Sequence, residues 1–247
     1  MKKVTRRLFV AGVGAATVVP TTALLSPTVR AMPTQAKQAL SVEAVKTRYF
    51  FFDTEEALFI EAACERLIPA DELGAGASVA GVPNYLDKQL GGAWGGGERL
   101  YRSGPWQSGT PSQGYQLPFT PAELFHASLR AIRRDLAHAT PFHEMPGEAQ
   151  DAYLKSLESG ARDLDGVSSA VFFDMLLKMT VEGFFSDPVY GGNRDMVAWR
   201  MIGFPGAYAD YYESIDKHGE KFEREPMSLA EDGRGHIHVR QDIPAKL

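Results

Sequence analysis

Apolar positions along this chain recur mainly at helical spacing, and strand-like alternation is scarce. Asp53-Thr54-Glu55-Glu56 reads as a capping box, with Asp53 at the N-cap and Glu56 reaching back from the third helical position. Behind it Leu58, Phe59, Ala62, Ala63, Leu67 and Ile68 return every three or four residues, and Pro69 stops the run. The preceding Tyr-Phe-Phe-Phe is placed to staple onto that first turn. Pro83 opens a short helix over PNYLDKQL from a first-turn position, where a missing N–H costs nothing. Thr120-Pro121-Ala122-Glu123 is a second capping box and starts a long helix carrying Leu124, Phe125, Leu129, Ile132 and Leu136. A shorter helix over PGEAQDAYLKSLESG ends at Gly160. Ser168 or Ser169 caps another, with Val171, Phe172, Met175, Leu176, Met179 and Phe185 on one broad face. Met196 to Ile202 predicts a further short helix ended by Gly-Phe-Pro-Gly, and residues 208–219 add a last turn or two. Only His236–Arg240 alternates like a strand. The expected class is mostly α, a single irregular helical domain with long Gly/aromatic loops.

Two stretches depart from this periodicity. Residues 91–118 contain two Trp and two Tyr among many Gly, a content unlike a disordered linker, which is poor in aromatics. A run of that length without periodicity is expected to be a loop that packs on something. The second stretch, FFSDPVYGGNRDMVAWRMIGFPG (184–206), crowds an Asp-Pro, a Gly-Gly-Asn, a Trp and a Gly-Phe-Pro-Gly together. Asp187-Pro188 favours turn initiation and Gly191-Gly192-Asn193 permits positive φ, so a tight loop between two helices is expected.

Charge separates the ends of the chain from its middle. Residues 1–31 hold Lys2, Lys3, Arg6, Arg7 and Arg30 and no acid. Without those five, 21 basic residues face 31 acidic ones, a formal charge of −10. That balance argues against nucleic acid, whose phosphates need an excess of Lys and Arg, and suits a partner with a basic face. The basic start, with Thr5-Arg6-Arg7-Leu8-Phe9 before the small-residue apolar run Val10–Leu25, reads as a twin-arginine (Tat) export signal. An ordinary secretory signal is the alternative, as is an uncleaved anchor in place of cleavage after Ala31. The expected organisation is a signal over 1–31, a flexible lead-in over 32–50, the helical domain over 51–217 and a polar C-terminal tail over 218–247. Cys64 is the single cysteine, so no internal disulfide forms; its place on an apolar helix side predicts a small buried hydrophobe.

Recognisable catalytic devices are missing from the sequence. There is no G-x-G-x-x-G after a strand, no G-x-x-x-x-G-K-[ST], no G-x-S-x-G, no H-E-x-x-H and no C-x-x-C-H. The glycines of 91–97 follow no strand and precede no Lys-Ser/Thr. His126 and His138 are twelve apart and match no metal face, and His236 and His238 sit in the tail. No catalytic, cofactor-binding or metal-binding residue is therefore expected in this chain. Trp94, Trp106, Tyr115, Tyr190, Arg194 and Arg200 are instead candidates for a partner interface, being of the types enriched at interface hot spots. A second reading is a stand-alone periplasmic enzyme with Asp187, Tyr190 and Arg194 around a small ligand; a third is a binding or scaffold protein.

The twin-arginine leader, the block FFDTEEALFIEAACERLIPADELGAGASVAGVPNYLDKQL at 51–90 and, above all, FFDMLLKMTVEGFFSDPVYGGNRDMVAWRMIGFPG at 172–206 resemble the gluconate 2-dehydrogenase subunit 3 family. That family comprises small, or gamma, subunits of bacterial flavin-dependent sugar and sugar-acid dehydrogenases. The resemblance implies a complex in which an FAD-dependent large subunit of the glucose–methanol–choline (GMC) type oxidises gluconate, glucose or a related sugar or polyol. It also implies, in many such complexes, a multihaem cytochrome c subunit that passes electrons to the membrane. The small subunit would carry the Tat signal, engage the export machinery, and support maturation, export and stability of the flavoprotein. Export by the Tat signal implies a periplasmic location, to which a cytochrome subunit would add membrane association through the complex. The family supplies no catalytic residues to carry over.

Overall fold

The structure is a computed structural model that describes residues 48–107, 109–110, 116–208, 211–221 and 224–229. Six α-helices form its frame: α1 (Thr54–Leu67), α2 (Val82–Leu90), α3 (Pro121–Asp135), α4 (Gly147–Glu158), α5 (Ser169–Phe185) and α6 (Val197–Ile202). Short 3-10 turns occur at Phe142–Glu144, Pro188–Tyr190, Arg194–Met196 and Tyr211–Ser214. Among the described residues there are isolated β-bridges but no strands. The mostly α class expected from periodicity is the class observed. The leader with Arg6 and Arg7, and the His236–Arg240 alternation, lie outside the described residues.

α5 is the hub, packing against each of the other five helices. Its sequence explains why: apolar residues surround it on nearly every side, and a helix apolar all round belongs in a core. Its three charged residues, Asp174, Lys178 and Glu182, fall four apart and mark one wet stripe, with Lys178 reaching Asp174 at 2.7 Å. Phe172, Leu176, Met179 and Phe184 are buried, and Phe125 meets Phe172 edge-on at 5.2 Å. Gly183 lets α2 approach: a Cβ there would stand 2.7–3.1 Å from the Tyr85 ring and its Cβ.

Both capping boxes form. Asp53 accepts from Glu56 N at 2.9 Å while Glu56 accepts from Asp53 N at 3.1 Å; Thr120 and Glu123 repeat the exchange on α3. Ser168 occupies the N-cap of α5 without a side-chain cap bond. Cys64 is fully buried with Sγ 3.5 Å from Thr180 Oγ1, and burial pushes its thiol up to about 12. α1 is further fixed to α4 by the two-pronged Arg66–Asp151 pair at 2.9 and 2.8 Å.

Tyr49, Phe51 and Phe52 pack on the core as the staple predicts, whereas Phe50 faces solvent. What fixes this entry is Asp87 of α2, almost wholly buried, whose carboxylate accepts the N–H groups of Phe50, Phe51 and Phe52 at 2.9–3.1 Å. No helix of the described residues is long and apolar enough to cross a membrane.

Candidate interaction site

The late block forms the junction between α5 and α6, built from local turn chemistry outward. Asp187 caps the Pro188–Tyr190 turn by accepting Val189 N at 2.9 Å. Gly191 then takes φ +99°, and its carbonyl accepts Asn84 Nδ2 of α2 at 2.8 Å. A Cβ on Gly191 would lie 2.7 Å from that nitrogen, and one on Gly192 would lie 2.1 Å from the Gly183 carbonyl oxygen. Both glycines are therefore required by close approach, not merely by the turn.

Asn193 is the pin of the junction. It is completely buried at φ +44°, a conformation Asn tolerates better than most residues. Its Nδ2 donates to Ser186 O and its Oδ1 accepts Ala198 N, both at 2.9 Å, so one side chain ties the end of α5 to the start of α6. Arg194 N donates to Ala80 O at 2.9 Å, adding the loop before α2. Asp195 and Met196 also adopt positive φ, +55° and +54°, so α6 begins at Val197, one residue later than Met196, where the sequence places it. Trp199 is buried and donates Nε1–H to Phe185 O at 2.8 Å, and Phe204 meets it edge-on at 5.1 Å. The indole is a structural anchor; Phe204 itself stays nearly half exposed.

Above this brace the candidate interface residues divide. Tyr190 is half exposed, beside Tyr85. Burial, then the charge and hydrogen bond of Glu182, pushes that Tyr85 hydroxyl up to about 12. Arg194 runs beside Gly81, while the exposed Arg200 donates to Asp195 O at 2.6 Å and faces Glu225 at 3.6 Å. These three, with exposed Ile202 and Phe204, come from one junction. Trp94 and Trp106 line a different feature, an open groove of ≈ 670 Å³ against the Asp174–Lys178–Glu182 stripe of α5. Glu182 bounds that groove and also contacts Tyr85, so the groove and the junction adjoin through one side chain. Tyr115 lies outside the described residues.

A further groove of ≈ 580 Å³ runs between α1 and α3, with Leu58, Phe59, Leu129 and Ile132 as floor and Arg133 at its edge. Arg133 is occupied there by Asp53 at 2.5 Å and Glu55 at 2.8 Å. His126 stacks on Phe51 at 4.1 Å, and among the described residues no three His, Cys, Asp or Glu side chains gather as a metal set.

The acidic groups that sequence reading overlooked, or weighed for chemistry, are engaged by the fold. Asp87 receives three amides; Asp187 receives Val189 N and Ser228 Oγ on Oδ1 and Leu229 N on Oδ2. Asp87, almost wholly buried and ringed by three amides, is a structural acceptor and is not placed to take a proton from a ligand. Asp87 carried no signal in sequence, since one Asp inside an amphipathic helix reads as a solvated residue.

Compared with known proteins, residues 54–206 match the family model described as gluconate 2-dehydrogenase subunit 3. Neither a curated protein nor a solved structure matches the chain. The match begins at the first residue of α1 and ends at Gly206, so it takes in all six helices and the whole junction.

Proposed function

The chain belongs to the gluconate 2-dehydrogenase subunit 3 family, and from that premise we propose that it is the non-catalytic small subunit of a flavin-dependent dehydrogenase complex. Its partner would be an FAD-binding large subunit of the GMC type that oxidises gluconate, glucose or a related sugar or polyol, with a multihaem cytochrome c as a third member. The family match across the helical frame carries this reading. It is supported by the engaged state of Asp87 and by the aromatic residues left at the surface of the junction. Tyr190, Arg194 and Arg200, with Trp94, Trp106 and Tyr115, are the proposed contacts to the partner; aromatic and Arg side chains are the types that dominate interface energetics.

The twin arginines Arg6 and Arg7 fit a role in which this chain supplies the export signal for a folded, cofactor-loaded partner bound to it, giving a periplasmic complex. FAD and haem c would reside in the partners. Affinity capture of the native chain from its own host, read by flavin and haem absorbance, tests the reading. Recovery of a flavin-containing large chain in stoichiometric amount is expected. Equal maturation and export of that flavoprotein in a strain lacking this chain would overturn it.

A further inference from the structure

The junction holds an extended piece of its own chain in a built site. Met227 pairs with Gly206 in a parallel bridge: Met227 N donates to Pro205 O at 3.0 Å, and Ala207 N donates to Met227 O at 2.8 Å. One residue on, Ser228 is 2% exposed and donates Oγ–H to Asp187 Oδ1 at 2.6 Å. Leu229 then donates its N–H to Asp187 Oδ2 at 2.9 Å, while its side chain stays largely in solvent. Gly206 is shaped for this neighbour, because a Cβ there would stand 2.2 Å from Met227 O and 2.8 Å from the Trp199 ring. Three of the four bonds use main-chain atoms of the segment, two of them to main chain and one to the Asp187 carboxylate, and the fourth engages a small hydroxyl.

Beside the segment, Tyr208 Oη–H donates to Glu225 O at 2.8 Å and the Arg224 guanidinium lies 4.9 Å over the Tyr208 ring. The tripeptide is covalently joined to the site it occupies, so the intervening chain is its tether. The family match ends at Gly206, so it takes in the two acceptors of the site, the Asp187 carboxylate and Pro205 O, while the donor Ala207 N lies one residue beyond it.

We propose that Asp187, Pro205, Gly206 and Ala207 form a docking site for an extended peptide with a central serine, and that Met227–Leu229 is its resident, exchangeable occupant. Recognition uses main-chain pairing to Pro205 and Ala207 for affinity and the Asp187 carboxylate for selectivity. An acidic or phosphorylated residue at the centre is excluded, because it sets a second anion against Asp187. The tether keeps the resident segment at high effective concentration, so a free peptide competes poorly until the segment is released.

The experiment uses the full chain with Ser228→Asp, which empties the site by charge, and a synthetic peptide of the sequence Arg224–Leu229. The Trp199 indole N–H resonance reports occupancy, and helix content by circular dichroism separates local release from unfolding. The peptide is expected to shift that resonance in the Ser228→Asp chain at a concentration at least tenfold lower than in the native chain. A peptide with Ala in place of its Ser should need at least threefold more, and adding Asp187→Asn to the chain should abolish the shift. Leu229→Pro, which removes the donor to Asp187 without changing charge, should open the site likewise and serves if Ser228→Asp unfolds the chain. The proposal is overturned if neither variant raises peptide binding above the native chain, or if the Ser and Ala peptides bind equally.

Discussion

Asp87 shows how much of this fold hangs on single polar side chains. Its carboxylate gathers three successive amides where the chain enters α1. Hydrogen bonds to a charged group contribute about 1.5–3 kcal/mol each, and orphaned buried donors add a penalty. Asp87→Ala is therefore expected to lower unfolding stability by about 3 kcal/mol or more, and Asp87→Asn by less because one acceptor oxygen remains. Urea unfolding midpoints of the two variants check the order; equal losses would mean that the three amides find other partners. Cys64 makes a second residue-scale case. Burial lifts its folded value to about 12, so the thiol favours folding below its ordinary range near pH 8–9. As pH rises from there toward 12 the unfolded state releases the proton first, and that contribution is lost. Native protein should resist maleimide at pH 8 and react at once in denaturant; fast native labelling would contradict the packing seen here. Cys64 was readable from sequence because its apolar helical neighbours announce burial. Asp87 and Asn193 were not, since a buried polar side chain is defined by donors that arrive from distant parts of the chain.

At the scale of elements, the helices whose start signals lie within four residues were readable almost to their ends. Both capping boxes and the prolines at the starts of α2 and α3 are local devices, and the structure reproduces them. The start of α6 was less so, because positive φ at Asp195 and Met196 is imposed by the pins at Asn193 and Ala80, not by those residues themselves. The crossing of α2 over α5 offers a clear test. Gly183→Ala improves helix propensity by about 1 kcal/mol. Yet its Cβ would meet the Tyr85 ring at 2.7 Å, and overpacking of that kind costs about 1–3 kcal/mol. A lower melting temperature is expected; an unchanged or higher one would show that α2 shifts freely. The α1 cap responds to acid. Burial raises Asp53, but its hydrogen bonds to Arg133 and the first-turn amides outweigh that and leave it below the ordinary carboxylate value. Its contribution is present above pH ~4 and lost as pH falls through the depressed value. Asp53→Ala should flatten part of the acid limb of the pH–stability curve.

For the whole molecule, the acidic balance outside residues 1–31 predicts how association behaves. Residues 32–247 carry a formal charge of −10, which steers them to a basic partner face, and salt screens that steering. The association rate with the proposed flavoprotein should fall several-fold between low and physiological salt, with a smaller change in dissociation, read by surface-immobilised kinetics. An association rate indifferent to salt would place the contact on the uncharged aromatic surfaces alone. The family was legible in the late block. The return of Met227–Leu229 to the junction was not legible, because a bridge between residues 206 and 227 leaves no periodic trace in a polar segment.

The hub position of α5 also has a consequence during synthesis. α1 through α4 each bury apolar side chains against a helix that is made after all of them. Until residue 185 has left the ribosome, those earlier helices have no complete surface to close upon, and their apolar faces stay open to other proteins. The nascent chain is thus most in need of a chaperone during the hundred or so residues from α1 to α5, and a ribosome stalled before α5 should yield a chain that is bound, cleaved or aggregated, never folded.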